Sequence, residues 1–328
     1  MADAFDAVLP AALRAPLEAA AYAPSNIALS KYWGKRDAAL NLPMNSSLSV
    51  SLAEWGTTTR VLPAEHDTLF FNGEHLASGG FAAKVWNYVE RFRRGQKLPL
   101  RIETDNSIPT AAGLASSASG FAALTRALDG AFQLDLDEGV LSMLSRYGSG
   151  SATRSFWHGF VKWGRGQAAD GSDSFAHPLD VDWPSFRIAI VSVDTGPKEK
   201  SSRDGMTHTV ETSPLFTPWP ERAEADCAAV EAAVRVQDFS SLGALAEANA
   251  LAMHATMMAA RPPLVYLKPK SWDVLEQLWT ARAAGLEAYA TMDAGANVKL
   301  LFEESVEADV RSLFPDTSVI DPFGYSAS

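Results

Sequence analysis

The sequence predicts an α+β fold in two halves, each a sheet with helices laid over it. Strands with intervening helices fill the chain as far as about residue 180, and a second, more helical series starts at Phe186. In the middle of the first series a loop of small residues, Pro109 to Gly120, joins a strand to a buried helix. A chain of 328 residues that is 47% hydrophobic, with nine Trp and sixteen Phe, has the apolar mass for one large or two ordinary cores.

Charge and composition narrow the possible partners. The formal net charge of −11 disfavours nucleic acid. An anionic ligand would need a site that gathers cations against that background. The single Cys227 excludes an internal disulfide framework and a cysteine-rich metal site. No run approaches the length of a membrane span, and the acidic start, Met1 to Asp6, is unlike a secretory leader. A cytoplasmic protein is the expectation.

Taken in order, residues 1–20 are alanine-rich and read as an N-terminal arm or short helix. Tyr22 to Asp37 follows, where Pro24 keeps Ala23 out of a helix and Lys31 and Lys35 are four residues apart. On a helical turn both ammonium groups would share one face, although a solvated lysine pair is the commoner meaning of that spacing. Leu48, Val50 and Leu52 alternate with serines, the pattern of a half-buried strand. Thr57–Leu62 and Thr68–Asn72 read as further strands, with a turn at Asn72-Gly73. Phe81, Val85, Tyr88, Val89 and Phe92 make an amphipathic helix, and Arg91, Arg93 and Arg94 at its end read as surface residues. Asp137–Ser145 is helical, and Gly159–Trp163 is a strand. Beyond a boundary near Asp180–Ser185, Phe186–Asp194 is an apolar strand. Lys198, Lys200 and Arg203 then form a basic loop that opens a polar helix, and a solvated charge run is the ordinary meaning of such a cluster. Helices at Glu221–Val236, Ser241–Ala259 and Ser271–Ala284 precede the strands Glu287–Met292 and Val298–Glu303, the helix Val306–Phe314 and a last strand at Ser318–Asp321.

Three places carry chemistry. In the loop from Pro109, Gly113 and the alanines allow close backbone approach, while Ser116, Ser117 and Ser119 bring hydroxyls to the start of the helix. Free N–H groups and the positive helix end then make an anion site, with phosphate foremost and a serine hydroxyl placed for its magnesium. A serine-capped, alanine-packed helix fits the same residues. The loop lacks the Gly-Lys-Ser/Thr of a Walker sequence. Tyr147 to Arg154 is a second Gly/Ser loop, in which Gly148 and Gly150 allow a tight backbone, Ser149 and Ser151 offer donors, and Arg154 suits a carboxylate or phosphate. A plain turn before the next strand is the alternative. Asp293 sits where a strand ends at the tight turn Asp293-Ala-Gly295, placed either to project into a cleft or to cap the turn.

The Pro109–Gly120 loop closely resembles the phosphate loop of the GHMP kinase superfamily. Four further stretches resemble its diphosphomevalonate decarboxylase branch: Ala23-Pro-Ser-Asn-Ile-Ala-Leu-Ser-Lys-Tyr-Trp-Gly-Lys-Arg-Asp37 with Pro43–Leu52, Gly148-Ser-Gly-Ser-Ala-Thr-Arg-Ser155, Gly159–Trp163 with Ala169–Ser174, and Met292-Asp-Ala-Gly-Ala-Asn297. The resemblance covers nearly all of residues 20–303 in the family's order. It departs at Ala296, where the family has proline, which leaves the turn looser without removing a functional group.

This resemblance implies an arm at 1–20, a ribosomal-protein-S5-like, ATP-binding domain at 21–184 and a ferredoxin-like domain at 185–328, with the active site in the cleft between the two domains. It implies ATP and Mg²⁺, and conversion of mevalonate 5-diphosphate to isopentenyl diphosphate, CO₂, ADP and phosphate. The tertiary hydroxyl is phosphorylated first; loss of phosphate and CO₂ then forms the alkene without an organic electron sink. By position, Asp293 would be the base beside that hydroxyl, Lys31 would lie near the transferred phosphoryl group, and Arg154 would meet the carboxylate. Lys35 and Arg203 would hold the diphosphate with Tyr32, Ser149, Gly150 and Ser151, and Met206 would pack on substrate. Pro109, Ala112, Gly113, Leu114, Ala115, Ser116 and Ser117 would serve the nucleotide, with Ser117 also at the metal. A homodimer is the usual family state. A mevalonate 3-kinase or 5-phosphate decarboxylase would have lost part of the set Lys31, Lys35, Arg154 and Arg203. Another GHMP kinase would lack Lys31 to Lys35 in this wording, and an ATP-binding sensor would lack Asp293 or the loop serines.

Overall fold

A computed structural model describes residues 4–108, 117–194, 196 and 200–324. In the first half the elements run α1 (Ala4–Val8), β1 (Ala19–Ser30), β2 (Lys35–Asp37), β3 (Leu42–Pro43), β4 (Ser47–Pro63), β5 (Thr68–Phe71), β6 (Glu74–His75), α2 (Gly80–Arg93), β7 (Leu100–Asn106), α3 (Ser117–Phe132), α4 (Glu138–Ser145), a 3₁₀ turn at Gly150–Arg154, β8 (Phe160–Trp163) and β9 (Ala176–Pro178). In the second they run β10 (Phe186–Val191), α5 (Ser202–Thr212), α6 (Trp219–Arg235), α7 (Phe239–Met258), α8 (Pro269–Ala283), β11 (Ala288–Thr291), β12 (Val298–Glu303), α9 (Glu307–Leu313) and β13 (Ser318–Ile320).

The first sheet is ordered β6-β5-β7-β4-β8-β9, with β1 also paired to β4; the second is ordered β11-β12-β10-β13. The long β4 organises the first. Its start, Ser47–Val50, pairs with β8, its end, Thr57–Pro63, pairs with β7, and β1 runs antiparallel along it. The two strands expected from the sequence at Leu48–Leu52 and Thr57–Leu62 are therefore one. Nor is its first part half-buried: Ser47, Ser49 and Ser51 are as deeply buried as Leu48, Val50 and Leu52. The cause is the second half of the chain. Leu29, Val50 and Phe160 belong to the same apolar cluster as Val230, Leu242 and Ala246 of α6 and α7, so both faces of the strand are covered.

Where β1 bends across β4, the register shifts between Pro24 and Asn26. Gly56 faces Pro24 there, and a Cβ on it would lie 2.2 Å from the carbonyl oxygen of Ala23. Backbone cannot yield as a side chain can. Gly56→Ala is expected to destabilise the protein by roughly 1–3 kcal/mol, read as a lowered midpoint in thermal or urea unfolding; an unchanged midpoint would show that the strands can part here.

Of the two readings of residues 1–20, a short helix is present at Ala4–Val8. Phe5 of α1 is fully buried, with its ring centroid 5.0 Å from that of Phe92 and 5.1 Å from that of Tyr147. The arginines at the end of α2 are not all surface residues. Arg93 is buried and forks onto Asp67 at 2.7 and 2.8 Å, while Arg91 lies over the rings of Phe5 and Tyr147.

Candidate active site

A cavity of about 1060 Å³ opens between the halves. Its walls come from the end of β1, the β2 hairpin, α2, the first turn of α3, the Ser149–Arg154 turn, the start of α5 and the segment after β11. Lys31, Lys35, Lys84, Arg91, Arg154, Arg203 and Lys299 all reach it, against the acids Asp204 and Asp293. In a chain of net charge −11 this is a strongly cationic site, and such a cleft concentrates anionic ligands.

Asp293 lies at its floor. Lys31 Nζ donates to Asp293 Oδ1 at 2.9 Å, and Lys299 Nζ to Oδ2 at 3.1 Å. Both lysines are almost wholly buried, whereas the Asp293 side chain stays 41% exposed. Burial alone would push its carboxyl up; the ammonium groups of Lys299 and Lys31 override that and hold it well below the usual carboxylate range. For Lys31, burial dominates over the attraction of Asp293 and brings the ammonium down to about 8.

The surrounding backbone is fixed by side chains from both halves. The Lys31 N–H donates to Asn249 Oδ1 at 2.8 Å, and Asn249 in turn donates to Asp226 at 2.9 Å. Asn45 donates to the Lys31 carbonyl at 2.8 Å. His254 Nε2 lies 3.1 Å from the Asp293 carbonyl oxygen. Burial pushes this imidazole down to about 4, so it is neutral with the proton on Nε2. Ser271 Oγ donates to the Ala296 carbonyl at 2.6 Å, and Asn297 Oδ1 accepts from the N–H groups of Val193 and Asp194. The turn that lacks the family's proline is thus held by three side chains.

Arg154 is buried on the 3₁₀ turn, which the sequence leaves as a loop. It donates through Nη1 to Ser47 Oγ at 2.5 Å and reaches Asn26 Oδ1 at 3.5 Å, while its Nε is without a partner. The Tyr32 hydroxyl at the cleft wall is likewise buried and unpartnered. Such orphaned donors are uncommon and mark a place where a ligand completes the hydrogen bonding. Gly150 must be glycine here, because a Cβ would stand 2.7 Å from the Tyr32 ring and 3.1 Å from Trp163. Lys35 and Lys84 are both brought down to about 8, first by burial and then by Arg203 and, for Lys84, by Lys35. Met206 is buried on α5 at the cleft.

Of the residues singled out from the sequence, Lys31, Tyr32, Lys35, Ser149, Gly150, Ser151, Arg154, Arg203, Met206 and Asp293 line one cavity, and so does Ser117. Lys31 and Lys35 reach it from a strand end and a hairpin, not from a helical turn. Ser119 is turned away: its Oγ lies 2.7 Å from Thr57 Oγ1, inside the core. Pro109, Ala112, Gly113, Leu114, Ala115, Ser116 and Lys198 lie outside the described residues. Lys84, Lys299, His254 and Asn26 were not singled out. Lys84 stands in an ordinary amphipathic helix, His254 in a largely apolar helix and Lys299 in an apolar strand; only the period of α2, which puts Lys84 one turn before Tyr88, offered a signal.

No group of three or more His, Cys, Asp or Glu able to hold a metal occurs among the described residues. Ser117 lines the cleft at the start of α3.

This fold, with a cation-lined cleft between its halves, is that of a GHMP kinase. The profile described as the diphosphomevalonate decarboxylase-like N-terminal domain matches residues 23–176, and that of the mevalonate 5-diphosphate decarboxylase C-terminal domain matches residues 188–321. The chain belongs to the diphosphomevalonate decarboxylase family. The diphosphomevalonate decarboxylase of Ganoderma lucidum is 37% identical to it, over 94% of this chain and 85% of that one. The crystal structure of mevalonate diphosphate decarboxylase from Staphylococcus aureus is 38% identical, with a TM-score of 0.88 over 93% of this chain and 95% of that one. A structure of MDDEF in complex with MVAPP, AMPPCP and magnesium is also 38% identical, with a TM-score of 0.85 over 92% of this chain and 96% of that one.

Proposed function

We propose that the chain catalyses the ATP-dependent decarboxylation of mevalonate 5-diphosphate to isopentenyl diphosphate, a step of isoprenoid biosynthesis by the mevalonate route. The observation that carries this reading is the Asp293 carboxylate, held ionised between two buried lysines at the floor of a cationic cleft. ATP and Mg²⁺ are the co-substrate and its metal; the metal shields the phosphate charge when bound. The residue roles, the division at 184/185 and a homodimer are carried over from the family resemblance, and a cytoplasmic location from the composition. No helix among the described residues is long and apolar enough to cross a membrane.

In this reading the tertiary hydroxyl of the substrate donates to Asp293. A carboxylate so strongly stabilised as an anion accepts a hydrogen bond well but keeps a proton poorly. Its contribution is charge and direction: it aims the hydroxyl oxygen at the γ-phosphoryl group, and as the new O–P bond forms and the bond to ADP breaks, the hydroxyl proton leaves by way of the carboxylate. Lys31 faces the same point and offsets the charge that develops there. Arg154, with its unfilled Nε, takes the carboxylate that leaves as CO₂. Lys35 and Arg203, with Tyr32, Ser149, Gly150 and Ser151, hold the diphosphate, and Lys84 adds a further cation. Met206 supplies apolar contact. The α3 N-terminus and Ser117 face the nucleotide phosphates.

The test is to follow ADP and CO₂ together with ATP·Mg²⁺ and, separately, mevalonate, its 5-phosphate and its 5-diphosphate. Turnover of the diphosphate with equal release of both products is expected. ADP without CO₂ would make the chain a kinase only. Lys35→Ala and Arg203→Ala should each raise KM for the diphosphate substrate roughly tenfold or more. The wild-type KM should also climb as pH rises through about 8, where Lys35 and Lys84 lose their protons. Unchanged KM in both variants would remove these residues from the diphosphate site.

A further inference from the structure

We propose that Lys299 is a positioning residue for the reaction, the second arm of a clamp that fixes the plane of the Asp293 carboxylate and keeps it an anion. The proposal deepens the reading of Asp293 given above and rests on it. Lys299 is the second residue of β12, where its backbone pairs with Thr291 of β11 on one side and Ile190 of β10 on the other. It is anchored in the middle of the second sheet, 3% exposed, and its side chain rises to the cleft floor. An ammonium group is costly to bury, and the carboxylate it meets is Asp293, at 3.1 Å.

The geometry explains why two lysines serve where one would neutralise the charge. Lys31 takes Oδ1 and also donates to the Ala28 carbonyl at 2.7 Å. With Lys31 alone, the carboxylate could turn about its terminal torsion, which is broad and soft for Asp. Lys299 on Oδ2 removes that freedom. Each oxygen keeps a lone pair for a hydroxyl, in a direction set from two halves of the molecule: Lys31 follows directly on β1 of the first sheet and Lys299 lies in β12 of the second. The other ionisable groups facing Asp293 are Arg154 on the 3₁₀ turn and His254 on α7, and His254 meets the main chain, not the carboxylate. Without Lys299, Asp293 keeps one close cation, and its carboxyl would take up a proton at higher pH.

The experiment uses Lys299→Met, which keeps the length and apolar stem, with Lys299→Gln as a second neutral variant and Lys299→Arg to restore charge. Circular dichroism and thermal melts establish folding, and a neutral variant that folds gives the reading. The expected result is a fall in kcat of roughly 10- to 100-fold with KM for substrate changed less than threefold. The acid limb of the kcat–pH profile should move up by roughly 1–3 units, and the arginine variant should return it towards wild type. A residue that merely stabilised the sheet would lower the melting point and leave that limb in place. Independently of turnover, the Asp293 carboxyl ¹³C shift, assigned by comparison with Asp293→Asn, should titrate at higher pH in the neutral variant than in wild type. An unmoved titration overturns the clamp. A moved titration in a protein that shows no turnover of the diphosphate in the wild type overturns the assigned reaction and leaves the clamp standing. A folded neutral variant with kcat within twofold of wild type overturns the positioning role.

Discussion

Asp293→Asn is expected to stop release of ADP and of CO₂ together, by roughly 10²–10⁴-fold, in a protein that still folds and still binds ATP and the diphosphate substrate. Asparagine keeps the shape of the side chain and the main-chain bonds of the turn, including Gly295 N–H to the Asp293 carbonyl at 2.7 Å and the His254 contact. It removes the negative charge between Lys31 and Lys299, so two buried ammonium groups face an amide whose nitrogen is itself a donor. The hydroxyl loses its charged acceptor, and the cations that balanced Asp293 repel one another. Both products must vanish at once, because phosphorylation precedes loss of CO₂. A variant that still formed ADP while CO₂ stopped would place Asp293 in the second step only. Wild-type release of both would leave it as a turn residue.

Arg154→Lys should lower kcat roughly 10²-fold while leaving the melting temperature nearly unchanged. The substitution keeps a cation in the cleft but loses the planar fork. Arg154 already spends Nη1 on Ser47 and points Nη2 at Asn26, which leaves Nε and the remaining Nη protons to meet a carboxylate in a fixed plane. A lysine ammonium can satisfy Ser47 or the ligand but cannot hold both at these angles. Steady-state kinetics on the diphosphate substrate, with ADP and CO₂ measured separately, give the result; a kcat within threefold of wild type would confine Arg154 to bracing the 3₁₀ turn.

The parts of the site legible in the sequence are those written in contiguous stretches. Lys31, Tyr32 and Lys35 share one segment, Ser149 to Arg154 another, and Asp293 stands in a short turn with its glycine. Most helices and strands were legible too, because their period survives at the surface of each half, as in α2 and α3. Legibility failed where the two halves meet. Ser47, Ser49 and Ser51 look like the wet face of a strand, since alternation reports polarity and not whether a second layer covers it. Lys299 and His254 were silent for the same reason. Each is a polar residue inside an apolar element, and only the meeting with Asp293 gives it a part to play. Arg93 read as a helix-end cation because Asp67, its partner, lies 26 residues away in the loop before β5.

The sharing of one apolar cluster by β1, β4, α6 and α7 has a further consequence. Leu29 and Val50 are covered by residues from beyond Phe186, and the seam is laced by Trp219 to the Trp33 carbonyl at 2.7 Å, Glu224 to Ser46, and Lys162 to Glu231 at 2.7 Å. Neither half carries a finished surface of its own. Cutting the chain ahead of Phe186 would expose a greasy strand pair on one fragment and a bare helix face on the other, so the fragments would be sticky and short-lived apart. Denaturation should accordingly run as one cooperative event. Recombination between relatives that exchanges whole halves must carry both sides of the seam or lose the fold, whereas exchange of the cleft loops leaves the seam intact.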